Sequence, residues 1–284
     1  MTHHHHTHTI ISKILLLLAA AAALVSAGDL SLVPHGLLFR PLAANTFEPR
    51  VGFVVQSGQN KLRLDIGNSI DLVQYAADSL AVTFGTDFFT YTYLRGEQNF
   101  HFPVDASDYF FGINFNAQKN YAVGTASARL RISHISAHFV DGHYVNAIGQ
   151  WKDNRAPQVY SREFFDLTTA LEPASLGGST RLYAGVTYLF HVDPRGLSRT
   201  SGMLGGEYHR EVAGSVHLFG AYQAQILKVV DTEARHNANA GVKFGSWAGR
   251  GVKFYAAYFS GYDIHGEYYD QKETYTGFGM NVDF

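Results

Sequence analysis

The sequence predicts an all-β protein, a transmembrane antiparallel β-barrel of about twelve strands, and three observations carry that expectation. After Arg50, segments of about ten residues alternate apolar with small or polar side chains. One face of these segments is large and aromatic, while the other carries Gly, Asn, Thr and charged residues. The chain opens on a leader-like apolar stretch and ends on an aromatic residue, Phe284. Alternation with period two and one apolar face is the signal of a strand. An apolar, aromatic-rich outer face over a polar interior is the pattern of an outer-membrane barrel.

Composition points the same way and excludes other classes. Only 16% of the 284 residues are charged, well below the roughly one quarter usual for soluble domains. The formal charge of −2 leaves no basic footprint, so nucleic acid is not an expected partner. With no cysteine in the chain, a disulfide scaffold, a thiol nucleophile and a thiolate zinc site are excluded. The glycines form no phosphate-binding loop, and no cofactor is expected.

Taken in order, residues 1–27 read as a signal peptide. Ile10 to Val25 is apolar and exits through Val25-Ser26-Ala27, a short hydrophobic region with a small-residue cleavage pattern. The histidines at His3 to His6 and His8 belong to this leader. Residues 28–50 read as a periplasmic lead-in, with Phe39-Arg40-Pro41 as a cap or tether ahead of the first strand.

The barrel is expected over 51–284, with strands at 51–57, 61–75, 80–94, 107–118, 121–138, 157–172, 179–192, 200–210, 215–228, 234–247, 250–263 and 272–284. Short links such as 76–79 and 119–120 alternate with long ones such as 95–106, 139–156 and 264–271. Short periplasmic turns and longer external loops are a feature of bacterial barrels. The location expected from leader and barrel together is the bacterial outer membrane. A terminal aromatic on the last strand resembles the signal read by the barrel-assembly machinery, which makes that machinery an expected partner through Phe284.

On the polar face lie Arg63, Asp65, Asp71, Asp87, Arg129, Arg131, Arg162, Asp166, Arg181, Glu207, Lys243 and Lys253. Both signs are present in similar number, which favours a paired network filling a narrow lumen over a pore with rings of one sign.

The chemistry-bearing stretch is Arg129 to His143. If Arg129, Arg131 and Ser133 point inward, the same parity turns His134, Ser136 and His138 toward lipid, where polar groups find little water. In Tyr160-Ser161-Arg162-Glu163 the lipid-side parity carries Ser161 and Glu163. If Glu163 pairs near His134, then Ser136, His134 and Glu163 have the types and placement of nucleophile, base and orienting acid. Ser161 with His138 is an alternate pair. A non-catalytic interfacial cluster, which locks the 139–156 loop, uses the same residues. Metal binding by His134, His138, Asp141 and His143 is disfavoured, since residues four apart on a strand stand about 13 Å apart.

Two resemblances attach to these residues. Ser133-His134-Ile135-Ser136 is similar to the S-H-x-S segment of lipid A 3-O-deacylases (PagL-like), small outer-membrane barrels with a Ser-His-Glu triad exposed to the outer leaflet. That resemblance implies His134 as base and Ser136 as nucleophile. It covers four or five residues; those enzymes are eight-stranded and shorter, and Ala137 stands where they commonly carry Asn. Their acid follows closer in sequence than Glu163 does, so the role of Glu163 comes from strand register. More broadly, Leu38-Phe39-Arg40-Pro41-Leu42-Ala43-Ala44, Glu48-Pro49-Arg50, Ser133 to His138 and Tyr160 to Glu163 resemble an uncharacterised, domain-of-unknown-function family of bacterial outer-membrane proteins. That likeness implies an envelope barrel and leaves the activity open.

Three functions follow as expectations: an outer-leaflet esterase acting on lipid A or phospholipid, with outer-membrane lipids including lipopolysaccharide as partners; a narrow channel for small solutes; or a non-catalytic structural or interaction barrel.

Overall fold

The computed structural model describes residues 28–176 and 179–284, so the expected signal peptide lies outside the described residues. Its strands are β1 (Asp29–Leu32), β2 (Val51–Gln56), β3 (Lys61–Ala77), β4 (Leu80–Arg95), β5 (Val104–Tyr121), β6 (Gly124–Phe139), β7 (Tyr144–Val145), β8 (Gln150–Trp151), β9 (Tyr160–Pro173), β10 (Thr180–Asp193), β11 (Thr200–Ala213), β12 (Val216–Lys228), β13 (Thr232–Gly245), β14 (Gly251–Tyr262) and β15 (Lys272–Asp283). β7 and β8 form a small hairpin in the long loop after β6, and β1 adds to one edge of β3. The remaining strands pair antiparallel in succession, and β15 pairs with β2 through Val282 with Val51 and Phe278 with Val55. The result is a closed twelve-stranded barrel. Closure leaves no strand of the barrel with a neighbour on one side only, which a lipid environment favours because it offers backbone groups no water.

Alternation places Leu182, Val186, Phe165, Leu204, Leu218 and Phe278 on the outside, all largely exposed. Those apolar groups are where hydrocarbon would cover them. The interior holds the expected charges, mostly in pairs: Arg63 bonds Asp65 at 2.7 Å and Arg131 bonds Asp87 at 3.0 Å. Aromatic residues are not confined to the outer face. In Phe88-Phe89 and Phe110-Phe111 one ring faces out and its neighbour faces in, and Phe89, Tyr91, Phe110, Phe164 and Phe259 form a buried interior cluster.

That cluster exists because the barrel is not hollow. The segment before β2, expected to lie on the periplasmic side, runs inside the lumen instead. Glu48 takes hydrogen bonds from Arg129 at 2.9 Å and Arg131 at 2.9 Å. Ala43 N–H donates to Glu207 at 2.9 Å, and Leu38 N–H donates to Asp71 at 2.8 Å. The Phe39 ring lies between Arg129 and Arg181, 4.5 and 4.4 Å from their guanidinium carbons. The physical reason is charge: among the described residues Arg129 pairs with no strand carboxylate, and Glu48 supplies its acid from the lead-in. Phe47 forms the inner tip of this plug and meets Tyr91 edge-on at 5.8 Å.

At the long-loop end, the segment between β14 and β15 folds into the barrel mouth. Gly266 N–H donates to Asp108 at 2.7 Å, and a Cβ on Gly266 would lie 2.2 Å from the Tyr160 ring. Only glycine permits that approach.

Candidate functional site

Three adjacent strands bring the polar groups of the outer face together. In the β6–β9 ladder His134 stands opposite Glu163 and Ser136 opposite Ser161. In the β9–β10 ladder Glu163 stands opposite His191. Directly opposed residues have Cβ atoms about 5 Å apart, within reach of an imidazole and a carboxylate. His134 Nδ1 accordingly lies 2.6 Å from Glu163 Oε1, and His191 Nδ1 lies 2.5 Å from Glu163 Oε2. The Ser161 hydroxyl donates to Glu163 Oε1 at 3.2 Å. One carboxylate therefore accepts from three side chains on two neighbouring strands and its own.

A carboxylate only accepts, so Nδ1 of His134 carries the hydrogen and Nε2 is left as the basic nitrogen. Ser136 lies two residues along the same strand on the same face, at a Cα separation of roughly 6.6–7 Å. No hydrogen bond joins Ser136 Oγ to His134 among the described residues. Catalytic hydrogen bonds in unliganded sites are often long and tighten with substrate.

The surroundings are apolar. Phe111 packs on His134 with ring centroids 4.8 Å apart, and Phe165 packs on Phe190 at 4.9 Å. Ser136 lies three residues before the end of β6 at Phe139, about 10 Å along the strand at about 3.3 Å per residue.

Of the other expected site residues, His138 meets the Tyr109 ring at a tilt with centroids 5.8 Å apart, while Ser161 is engaged with Glu163; no hydrogen bond joins Ser161 to His138 among the described residues. His143 is fully buried, stacks on Phe139 at 3.8 Å and meets the Arg155 carbonyl through Nε2. It is thereby separated from His134, and among the described residues no three His, Asp or Glu side chains are arranged to hold a metal ion. The inward charges lie in the lumen: Arg181 bonds the Arg40 carbonyl and faces Glu207, Asp166 accepts from Thr168 and Thr187, and Lys243 and Lys253 share Asp283. Arg162 lies over Phe47, Ser69 bonds Asp87, and Asn116 bonds Asp71.

His191 is a site residue the sequence pattern hides. Strict alternation through Leu182 to Phe190 assigns it inward. The ladder shifts register between Leu189 and His191, and this irregularity turns the imidazole outward, where its side chain is 58% exposed. Bulges re-aim side chains in this manner and gather near functional sites.

In three dimensions the chain is similar to outer membrane phospholipase A from Escherichia coli, with 12% identity, a TM-score of 0.52 and coverage of 86% of this chain and 93% of that one. It is also similar to the β domain of the Bordetella autotransporter BrkA, at 14% identity and a TM-score of 0.40, over 84% of this chain and all of that one. At such identities the first likeness shows a common fold, that of an outer-membrane barrel. No curated protein matches the chain in sequence. The family model described as Protein of unknown function (DUF1207) matches residues 6–284, and the chain belongs to that family.

Proposed function

We propose that this outer-membrane barrel is a lipid-ester hydrolase whose site faces the outer leaflet. The observation that carries the reading is the 2.6 Å contact between Glu163 and His134 on the outward face, with Ser136 next on the same face. Ser136 Oγ attacks the acyl carbonyl while His134 Nε2 takes its proton, and the same nitrogen returns it to the departing alcohol. Water then attacks the acyl-serine and releases the fatty acid. Glu163 holds the imidazole in the required tautomer and offsets its charge when protonated. The aromatic rings around the site suit acyl chains, and the substrate class is an acyl ester of phospholipid or lipid A. The fold in common with a phospholipase supports the reading without supplying any residue role.

In this reading the leader exports the chain and Phe284 presents it to the barrel-assembly machinery. The plug of residues 37–50 weighs against a channel, since it bonds to opposite walls of the lumen. The test compares purified wild type with Ser136→Ala on phospholipid and lipid A in mixed micelles, and compares the lipid profiles of cells making each. Release of fatty acid by wild type alone supports the proposal. Identical profiles and no release from either substrate overturn it in favour of a structural or interaction barrel.

A further inference from the structure

We propose that the lumen between the plug and the long-loop end is a binding site for a small oxyanion bearing a hydroxyl group, held between Arg162 and Arg235 above Phe47. This inference does not depend on the hydrolase reading, because the site lies on the opposite face of the barrel wall.

Both guanidiniums face the Phe47 ring, 5.7 Å from it at Arg162 and 5.8 Å at Arg235. Arg63, Arg129, Arg131 and Arg181 each have a carboxylate partner in the lumen, whereas neither of these two does among the described residues. Arg235 is only 7% exposed. It donates to the Tyr262 and Asp263 carbonyls and to Gln225 Oε1, all neutral acceptors. Arg162 makes no hydrogen bond among the described residues, and its Nε is buried without a partner.

The two carboxylates on the cavity wall make no ion pair with either guanidinium among the described residues. Asp166 is held by Thr168 and Thr187, and Asp263 by His265. Arg235 is buried and Arg162 half-buried; like charges withdrawn from water without an ion-pair partner are costly, and a bidentate guanidinium–oxyanion contact relieves that cost. The cavity also holds one orphan acceptor. Gln223 is 5% exposed, lines the same space and has an Oε1 with no partner, so the matching ligand offers a donor as well as a negative oxygen. Exposed Arg199 and Lys228 stand at the edge of the cavity and would raise the local anion concentration.

Equilibrium dialysis of the full-length barrel in detergent against labelled inorganic phosphate tests this. Dihydrogen phosphate carries both the oxyanion and the hydroxyl. The expected result is one saturable site per chain, competed by glycerol phosphate or glycolate better than by acetate. Arg162→Gln and Arg235→Gln are each expected to weaken binding at least tenfold, and Gln223→Met to weaken it several-fold. Heat-modifiable mobility on gels reports whether each variant is folded; Arg162→Gln, which removes no hydrogen bond, carries the test where Arg235→Gln does not fold. Absence of saturable uptake by wild type, or undiminished binding in folded Arg162→Gln, overturns the proposal.

Discussion

Glu163 and His134 are register partners in adjacent strands, and their side chains meet at 2.6 Å on the outer face of the barrel. The pairing leaves two serines nearby, and they are not equivalent. Ser161 is already committed to Glu163 at 3.2 Å, while Ser136 makes no side-chain hydrogen bond among the described residues and lies on the strand of His134. Ser136→Ala is therefore expected to lower ester hydrolysis by about a thousandfold or more, as loss of a nucleophile does. Ser161→Ala is expected to stay within about tenfold of wild type. Fatty-acid release from micellar phospholipid measures both, and the reverse order would make Ser161 the nucleophile.

Glu163 also accepts from His191, so the carboxylate is fixed from both sides. Removing one donor loosens a charged hydrogen bond without removing the base. His191→Gln is expected to reduce kcat by about tenfold, the cost of one charge-assisted bond at about 1.5 kcal/mol. KM should be little changed. His134→Gln is expected to cost far more. Steady-state rates of the two variants, read beside the Glu163→Gln variant, separate positioning from proton transfer: equal losses at His191 and His134 would contradict this division.

Much of this was legible in the sequence. The period-two pattern locates the twelve barrel strands, because a one-residue slip would turn every lipid-facing side chain inward. It also puts His134, Ser136, Ser161 and Glu163 on one face. What escaped the pattern are features with no periodic signal. The outward turn of His191 depends on a single register shift after Leu189, which alternation cannot announce. The plug is a stretch without strand character, and its place in the lumen follows from long-range pairs such as Glu48 with Arg129. The inward rings of Phe89 and Phe110 make sense only once Phe47 is known to fill the interior.

The plug provides a stability prediction. Glu48 is 1% exposed and pairs with both Arg129 and Arg131. Glu48→Gln keeps the shape and removes the charge, leaving two buried guanidiniums short of a partner. Breaking a buried pair from one side costs about 3–5 kcal/mol. Urea unfolding of the barrel in lipid vesicles is expected to show a loss of that order. A loss under about 1 kcal/mol would mean that water or Asp87 takes over the pairing.

A pH dependence follows from the loop between β14 and β15. Burial opposes the charged form of His265, but the Asp263 carboxylate, 2.9 Å from Nδ1, outweighs it and raises the imidazole above its ordinary value. Asp108 adds to this effect and Arg63 opposes it. The Asp263 carboxyl is disfavoured by burial and more strongly favoured by His265, so it lies below its ordinary value. The His265 contribution is thus complete below about pH 6.5, its unfolded value, and is lost as pH rises through the raised folded value. The Asp263 contribution is complete above about pH 4 and is lost as pH falls through the lowered one. The stability advantage of wild type over His265→Gln is expected to be greatest between these limits and to shrink on the alkaline side. Hydrogen exchange at Gly266 and Tyr268, measured across that range, reads it directly.

The last prediction concerns the lumen. Residues 37–47 bridge opposite walls, with Leu38 on Asp71 of β3, Ala43 on Glu207 of β11 and the Ala43 carbonyl on Asn239 of β13. Each contact satisfies a buried polar group, so withdrawing the segment would expose several unpaired groups at once, at about 1–3 kcal/mol apiece. The plug is therefore expected to stay in place under ordinary conditions. Wild type in planar bilayers should conduct little, and deletion of 37–47 should raise conductance by emptying the space between the arginines. Steady ion flow through intact wild type would instead revive the channel reading and show that the segment leaves the lumen readily.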